Sequence, residues 1–338
     1  MLRNHLSSLF VCWVLVFGAG SATAASSSGV IEKAKAEGEL SFYTSMNIGE
    51  SKPLLDAFEQ KYPFIKAKLT RVGGTAIATR MLTEARAGRH LWDVSAPTLL
   101  YAREVMKKGL VAPYASPERR YYRKEFKDKK NLWTGIVLNT SVMVYNTQML
   151  KPSEYPRNYN DLLKPRFKGG RISMDTELYL WFAGQLRIRG KEKGMAFMRK
   201  LKAQDPVFRR GRTAQAQAVI AGEMLVAVEV YGHRAQAFKG AGAPLDWVAV
   251  EPVLTLPLAI MLNKRARHPN AARLFIDFAL SKGGQELLRD KGRIPARSDV
   301  TINPPELLKK DWRIEVIGLE ENLTELVKRY STTFGLAK

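Results

Sequence analysis

Thr134–Tyr145 reads TGIVLNTSVMVY, an unbroken β-branched and apolar run. Such residues suit the pleated, buried surface of a strand, and this run is longer than the usual strand of five or six residues. It therefore predicts a strand that leaves one sheet and enters another. The chain on either side supports that reading. Before it, Glu39–Tyr43 is strand-like and Pro53–Lys61 helical, with Leu54, Leu55 and Phe58 on one face. Ile65–Val72 then reads as a strand, broken by Gly73-Gly74, and Thr75 stands as an N-cap for a helix over Ala76–Ala87. A third strand at Trp92–Ala96 and a helix at Leu99–Lys107 complete the set. Strand alternating with helix predicts an α/β layer with a mostly parallel sheet.

After the long strand the pattern begins again. Arg171–Met174 reads as a strand, Glu177–Ile188 as a helix behind Thr176, Ala214–Ala221 as a helix behind Thr213, and Leu225–Val230 as a strand. Trp247–Leu262 (WVAVEPVLTLPLAIML) is a second long apolar run, which would carry the chain back as a second crossing strand. The tail holds helices at Ala271–Leu280, Gly284–Asp290 and Leu319–Tyr330. The expected architecture is α/β with two lobes, each a mostly parallel sheet flanked by helices, hinged by two crossing strands. The expected boundaries are 38–138 plus 258–305 for lobe 1, 142–255 for lobe 2 and 306–338 for a C-terminal helical tail.

The N-terminus bounds the compartment. Arg3 supplies a positive start, Leu9–Phe17 an apolar core and Ala22-Thr23-Ala24 a small-residue cleavage site, so Met1–Ala24 reads as a cleavable signal peptide. Its apolar stretch, Leu6–Gly18, is shorter than the roughly 20 residues that span a bilayer. The single cysteine, Cys12, leaves with the leader, which excludes disulfides, thiolate metal sites and cysteine nucleophiles from the remainder. The formal net charge of +22 falls only to +21, because Arg3 is the one charged residue lost. In a cytoplasmic chain that balance would raise nucleic acid as a partner, and Arg119–Lys130 (RRYYRKEFKDKK) interleaves aromatics with cations. Export argues against it, and that segment reads as a solvated amphipathic face. The excess charge instead favours attraction of anionic solutes or of an anionic membrane surface.

Several local stretches, taken in order, resemble a known family. They are GELSFYTS from Gly38, AFEQKYP from Ala57, RVGGT from Arg71, WDV from Trp92 and VMVYNT from Val142, followed by YNDLLKPRFKGGRI from Tyr159, AGE from Ala221 and HPNAARLFIDFALSKGGQELL from His268. Over nearly the whole chain after the leader they are similar to type II periplasmic binding proteins, specifically the family-1 solute-binding proteins that include the ferric-ion binders. The resemblance implies a hinge-closing clamp, working as a monomer, that holds a small molecule or iron complex and presents it to an inner-membrane ABC permease. It implies periplasmic location and neither a cofactor nor catalysis.

In an open α/β sheet, ligands bind beyond the carboxyl ends of strands, where helix N-termini offer free N–H groups. On those grounds the candidates are Thr44, Ser45 and Asn47 after the first strand, Gly74 and Thr75 after the second, and Asp175, Thr176, Arg212, Thr213, Glu229 and Tyr231 in the second lobe. Met46, Arg209, Arg210, His233 and Arg234 lie beside them. Each threonine is a helix cap, a ligand contact or both. A guanidinium in the Arg209–Arg212 turn could grip a carboxylate or phosphonate bidentately.

The ferric members are expected to hold iron through consecutive tyrosines, a histidine and a carboxylate. Here Tyr231 stands alone between Val230 and Gly232, Asn47 sits near the histidine position and Thr98 near the carboxylate position, so only Tyr231 partly matches. The expected solute is small and anionic, or iron as an anion-bearing complex. A sensor that docks on a membrane receptor would need the same clamp. An enzyme would need a nucleophile motif or phosphate loop, and neither is present in the sequence.

Overall fold

The computed structural model describes residues 21–309, 311–317 and 322–336. Of the expected leader, residues 1–20 lie outside the described residues, and the last four begin helix α1 (Ser21–Glu37). There follow β1 (Glu39–Thr44), α2 (Ile48–Lys61), β2 (Lys66–Arg71), α3 (Ala76–Arg86), β3 (Val94–Ala96), α4 (Leu99–Lys107) and β4 (Val111–Ala112). The long strand is β5 (Thr134–Asn146). Beyond it come β6 (Ile172–Asp175), α5 (Tyr179–Arg189), α6 (Lys191–Lys202), β7 (Val207–Arg209), α7 (Arg212–Ile220), β8 (Val226–Tyr231), α8 (Gly232–Gly240) and β9 (Leu245–Val248). The chain returns through β10 (Val253–Asn263) to α9 (Pro269–Leu280), α10 (Lys282–Asp290) and β11 (Ile294–Pro295), and closes with β12 (Ile314–Val316) and α11 (Leu323–Phe334).

The strands follow the order β2-β1-β3-β10-β5-β8-β6-β7. Within it β1 is parallel to β2 and β3, and β6 is parallel to β7 and β8, so each end of the path is a parallel α/β layer. The middle is antiparallel. Residues Thr134–Thr140 of β5 pair with β10, and Ser141–Tyr145 pair with β8. Every residue of β5 and β10 is buried, which is why both read as continuous apolar runs rather than as alternating patterns. At one end Phe275 of α9 meets Phe42 of β1 at a tilt and Phe58 of α2 edge-on, with ring centroids 4.8 and 5.2 Å apart. At the other, Trp181 packs against Tyr159 and Phe197. Burying each such ring contributes about 1.5–3 kcal/mol.

Four expectations are corrected. Trp247–Leu262 is not one crossing strand: Leu245–Val248 pairs with the far part of β5, Met143 opposite Val248, and only β10 makes the return. Pro252 lies between them, and a residue without an N–H cannot continue a ladder. Helix α5 starts at Tyr179 rather than behind Thr176, because the Asp175 carboxylate accepts the Glu177 N–H at 2.9 Å and builds a turn first. Helix α7 starts at Arg212 behind Gly211, whose φ of 98° favours glycine, so Thr213 lies inside the first turn. Thr75 does hold the N-cap position of α3, but its side chain makes no capping bond.

The tail also differs from a purely helical one, since β12 pairs with β10. Helix α11 packs on α5: the buried Tyr330 ring meets Tyr179 and Phe182 edge-on. In Arg119–Lys130 the aromatics Tyr122 and Phe126 are core anchors, and Arg119 is buried against the Trp133 carbonyl at 2.7 Å.

Candidate functional site

The carboxyl ends of the parallel strands at both ends of the path face one another across a cavity of about 400 Å³. That size lies within the range of small-molecule sites. One wall comes from the turns after β1 and β2 (Ser45, Asn47, Arg71, Gly73, Gly74) and the start of α4 (Thr98, Tyr101). The opposite wall comes from the turns after β6, β7 and β8: Asp175 and Glu177, then Arg210 to Thr213, then Tyr231, His233 and Arg234. The floor is made by the crossing strands through Asn139 and Leu258, with Arg293 beside them.

The second wall is knitted by charge. Arg212 Nε donates to Glu229 Oε2 at 2.7 Å, and its guanidinium lies 3.7 Å from Asp175 and 4.6 Å above the Tyr231 ring. Burial alone would pull the Arg212 guanidinium down, but Glu229, Tyr231, Asp175 and Tyr101 together hold it above its ordinary value. Ser141 donates to the other Glu229 oxygen at 2.7 Å. Asp175 accepts the Gly211 N–H at 3.2 Å, and its carbonyl accepts the Tyr330 hydroxyl at 2.6 Å, so the tail buttresses this wall from behind. Burial pushes the Tyr101 and Tyr231 hydroxyls up, with Arg212 opposing it in both.

Contacts cross the cavity. Gly74 has φ +61°, and a Cβ placed there would lie 2.9 Å from Glu177 Oε2 on the opposite wall. Glu50 of α2 meets Arg293, which also donates to Asn139 at 2.7 Å, and faces Arg234 of α8 at 3.4 Å. His233 Nε2 lies 4.0 Å from the same carboxylate. Burial, then Arg293 and Arg234, drives the His233 imidazole well below its ordinary value and keeps it neutral. Among the described residues, its Nδ1 and the Nε of Arg293 are buried without a hydrogen-bond partner.

Of the residues expected from sequence, Ser45, Asn47, Gly74, Asp175, Arg212, Thr213 and Tyr231 line the cavity, together with Thr98, Arg210, His233 and Arg234. Thr44, Thr75, Thr176 and Glu229 do not. Thr44 is fully buried, donating to the Ala96 carbonyl at 3.2 Å and accepting the Met46 N–H at 3.1 Å, so it shapes the β1 turn. Thr176 joins the ends of β6 and β7 through its N–H to the Arg209 carbonyl at 3.3 Å. Glu229 stands behind Arg212. Sequence reasoning missed Arg71, Tyr101, Asn139, Glu177, Leu180, Leu258 and Arg293. Arg71 and Glu177 adjoin turns already singled out, and Asn139 is a polar residue inside an apolar run. Arg293 carries no local signal.

Residues 101–315 match the family model described as bacterial extracellular solute-binding protein. The chain belongs to that family. An uncharacterized protein of Haemophilus influenzae is 25% identical to this solute-binding protein over 341 residues, covering 94% of this chain and 97% of the relative. A putative 2-aminoethylphosphonate-binding periplasmic protein of Salmonella typhimurium is 28% identical over 188 residues, 52% of this chain and 54% of that one. The match thus spans about half of the Salmonella relative. Among solved structures, the periplasmic binding protein AfuA of Actinobacillus pleuropneumoniae, determined with fructose-6-phosphate bound, superposes with a TM-score of 0.78 at 24% identity, covering 88% of this chain and 99% of that one. The fold of this solute-binding protein is that of a periplasmic binding protein of type II.

Proposed function

We propose that this protein captures a small anionic solute, or iron as an anion-bearing complex, between its two lobes in the periplasm and delivers it to an inner-membrane ABC permease. The lobes in this reading are 38–138 plus 258–305 and 142–255, and Met1–Ala24 is the leader that exports the chain. The observation that carries the reading is a cavity walled by strand ends from both halves and ringed by Arg71, Arg210, Arg212, Arg234 and Arg293.

A clamp of this kind closes because a bound solute touches both walls and so selects the closed arrangement. Backbone at the Gly73-Gly74 turn and the first turn of α7 offers N–H groups, and the guanidiniums offer planar donor forks for a carboxylate or phosphoryl group. The solute leaves chemically unchanged. Tyr231 lies under a guanidinium rather than facing an open cation position. That placement favours an anion, or iron already carrying its own anionic ligands, over bare ferric ion.

The test is a thermal-shift panel with inorganic phosphate, methylphosphonate, citrate, ferric citrate and spermidine, followed by calorimetric titration. Binding at a hundred times Kd stabilises the folded state by about 2.7 kcal/mol, so at least one anion should raise Tm by several degrees. Stabilisation by spermidine alone would refute the anionic reading, and turnover of any bound compound would refute delivery without chemistry.

A further inference from the structure

The proposal here rests on the anion-binding reading and sharpens it. We propose that the solute carries a single net negative charge and that Arg71, in the first wall, is the specificity-determining residue that answers it. Four of the five cavity arginines already face carboxylates. Arg210 donates to Glu177 at 3.2 Å, Arg212 is held by Glu229 and Asp175, and Arg234 and Arg293 share Glu50. Arg71 differs. Its guanidinium donates to the Asn47 side-chain oxygen at 3.4 Å, and among the described residues no carboxylate pairs with it.

It is also aimed at the cavity. The guanidinium folds over the glycine turn, where a Cβ on Gly73 would lie 3.3 Å from Arg71 Nη2, and both residues line the cavity. Among the described residues the five guanidiniums are set against four carboxylates, Glu50, Asp175, Glu177 and Glu229, and His233 is held neutral. The surplus is one positive charge, and it sits on the residue whose donor fork is open. The carboxylates are spent: Asp175 accepts two backbone N–H groups besides facing Arg212, and Glu229 is shared by Ser141 and Arg212. A monoanion therefore leaves the closed cleft neutral. A dianion leaves one charge without a cationic partner, which costs more as closure of the two walls removes water from the now exposed Arg71.

The experiment is calorimetric titration of the full chain, purified after unfolding and refolding to strip any retained solute, with gluconate and glucarate, which match in size but differ by one charge, and with inorganic phosphate, methylphosphonate and citrate. Monoanions are expected to bind more tightly than size-matched dianions. Arg71→Gln should weaken the bound monoanion about 10- to 100-fold and flatten its salt dependence, as expected for losing a charge-assisted hydrogen bond. Arg71→Lys should recover part of the loss. Glu177→Gln, which frees Arg210, should instead raise affinity for the dianion. The melting temperature of each variant verifies folding. Equal affinity in wild type and Arg71→Gln, or tighter binding of glucarate than gluconate, overturns the proposal and leaves the anion-binding reading intact. If the wild type binds none of these anions and not ferric citrate either, the anion-binding reading itself falls, and this inference with it.

Discussion

The two walls of the cleft are built differently. The second wall is a closed network in which Arg212, Glu229, Ser141 and Asp175 are joined at 2.7 to 3.7 Å and braced from behind by Tyr330. The first is a set of strand-end turns whose side chains are lightly tied: Asn47 reaches Glu50 and Arg71 only at 3.4 Å, and Thr75 caps nothing. A wall ordered before binding loses little entropy when a solute arrives, whereas a lightly tied wall can settle onto what it meets. The contrast teaches that the second wall is ordered before a solute arrives, whereas the first, which carries Arg71, is free to adjust to it.

The contrast can be broken at its strongest point. Arg212→Met leaves Glu229, 1% exposed, without its cationic partner, and should lower the unfolding free energy by about 3 kcal/mol. Urea denaturation measures it, and an unchanged midpoint would mean that the second wall is not prebuilt.

A second test addresses the crossing contact. Because His233 is depressed below 6.5 in the folded state, the unfolded chain binds the proton more readily at lower pH. The contribution to stability is fully present above about pH 6.5 and is lost as pH falls toward the folded-state value. His233→Asn should flatten this part of the stability–pH curve, as followed by thermal melts across pH 5 to 8. A curve identical to wild type would remove His233 from the account.

Smaller effects should appear in the first wall. Gly74→Ala places a Cβ at positive φ and against Glu177, and should cost about 1–2 kcal/mol in stability while weakening solute binding roughly tenfold. Calorimetry on the variant separates the two. Thr75→Ala should cost less than about 0.5 kcal/mol, because the side chain makes no capping bond, against about 1 kcal/mol for a working cap. A loss near the larger figure would show that the turn is better ordered than its hydrogen bonds suggest.

Much of the scaffold was legible because periodicity and breakers act locally. The run Thr134–Tyr145 announced β5, Leu99–Lys107 matched α4 residue for residue, and the strand-end rule led to Ser45, Gly74, Asp175 and Tyr231. It failed where a local bond altered a boundary, as when Asp175 took the Glu177 N–H and delayed α5. It failed also where a proline divided an apolar run, leaving β9 in the second half.

Composition and local pattern thus determined the elements, the crossing strand and the turns that point at the cleft, since backbone propensity and side-chain period depend on neighbours in sequence. Only the folded arrangement decided that Arg293 meets Glu50 across 243 positions, that Tyr330 reaches Asp175 across 155, and which cavity arginine has no carboxylate partner among the described residues. Such pairings depend on the register of distant strands and the packing of helices upon them, and neither is written in any single stretch of the chain.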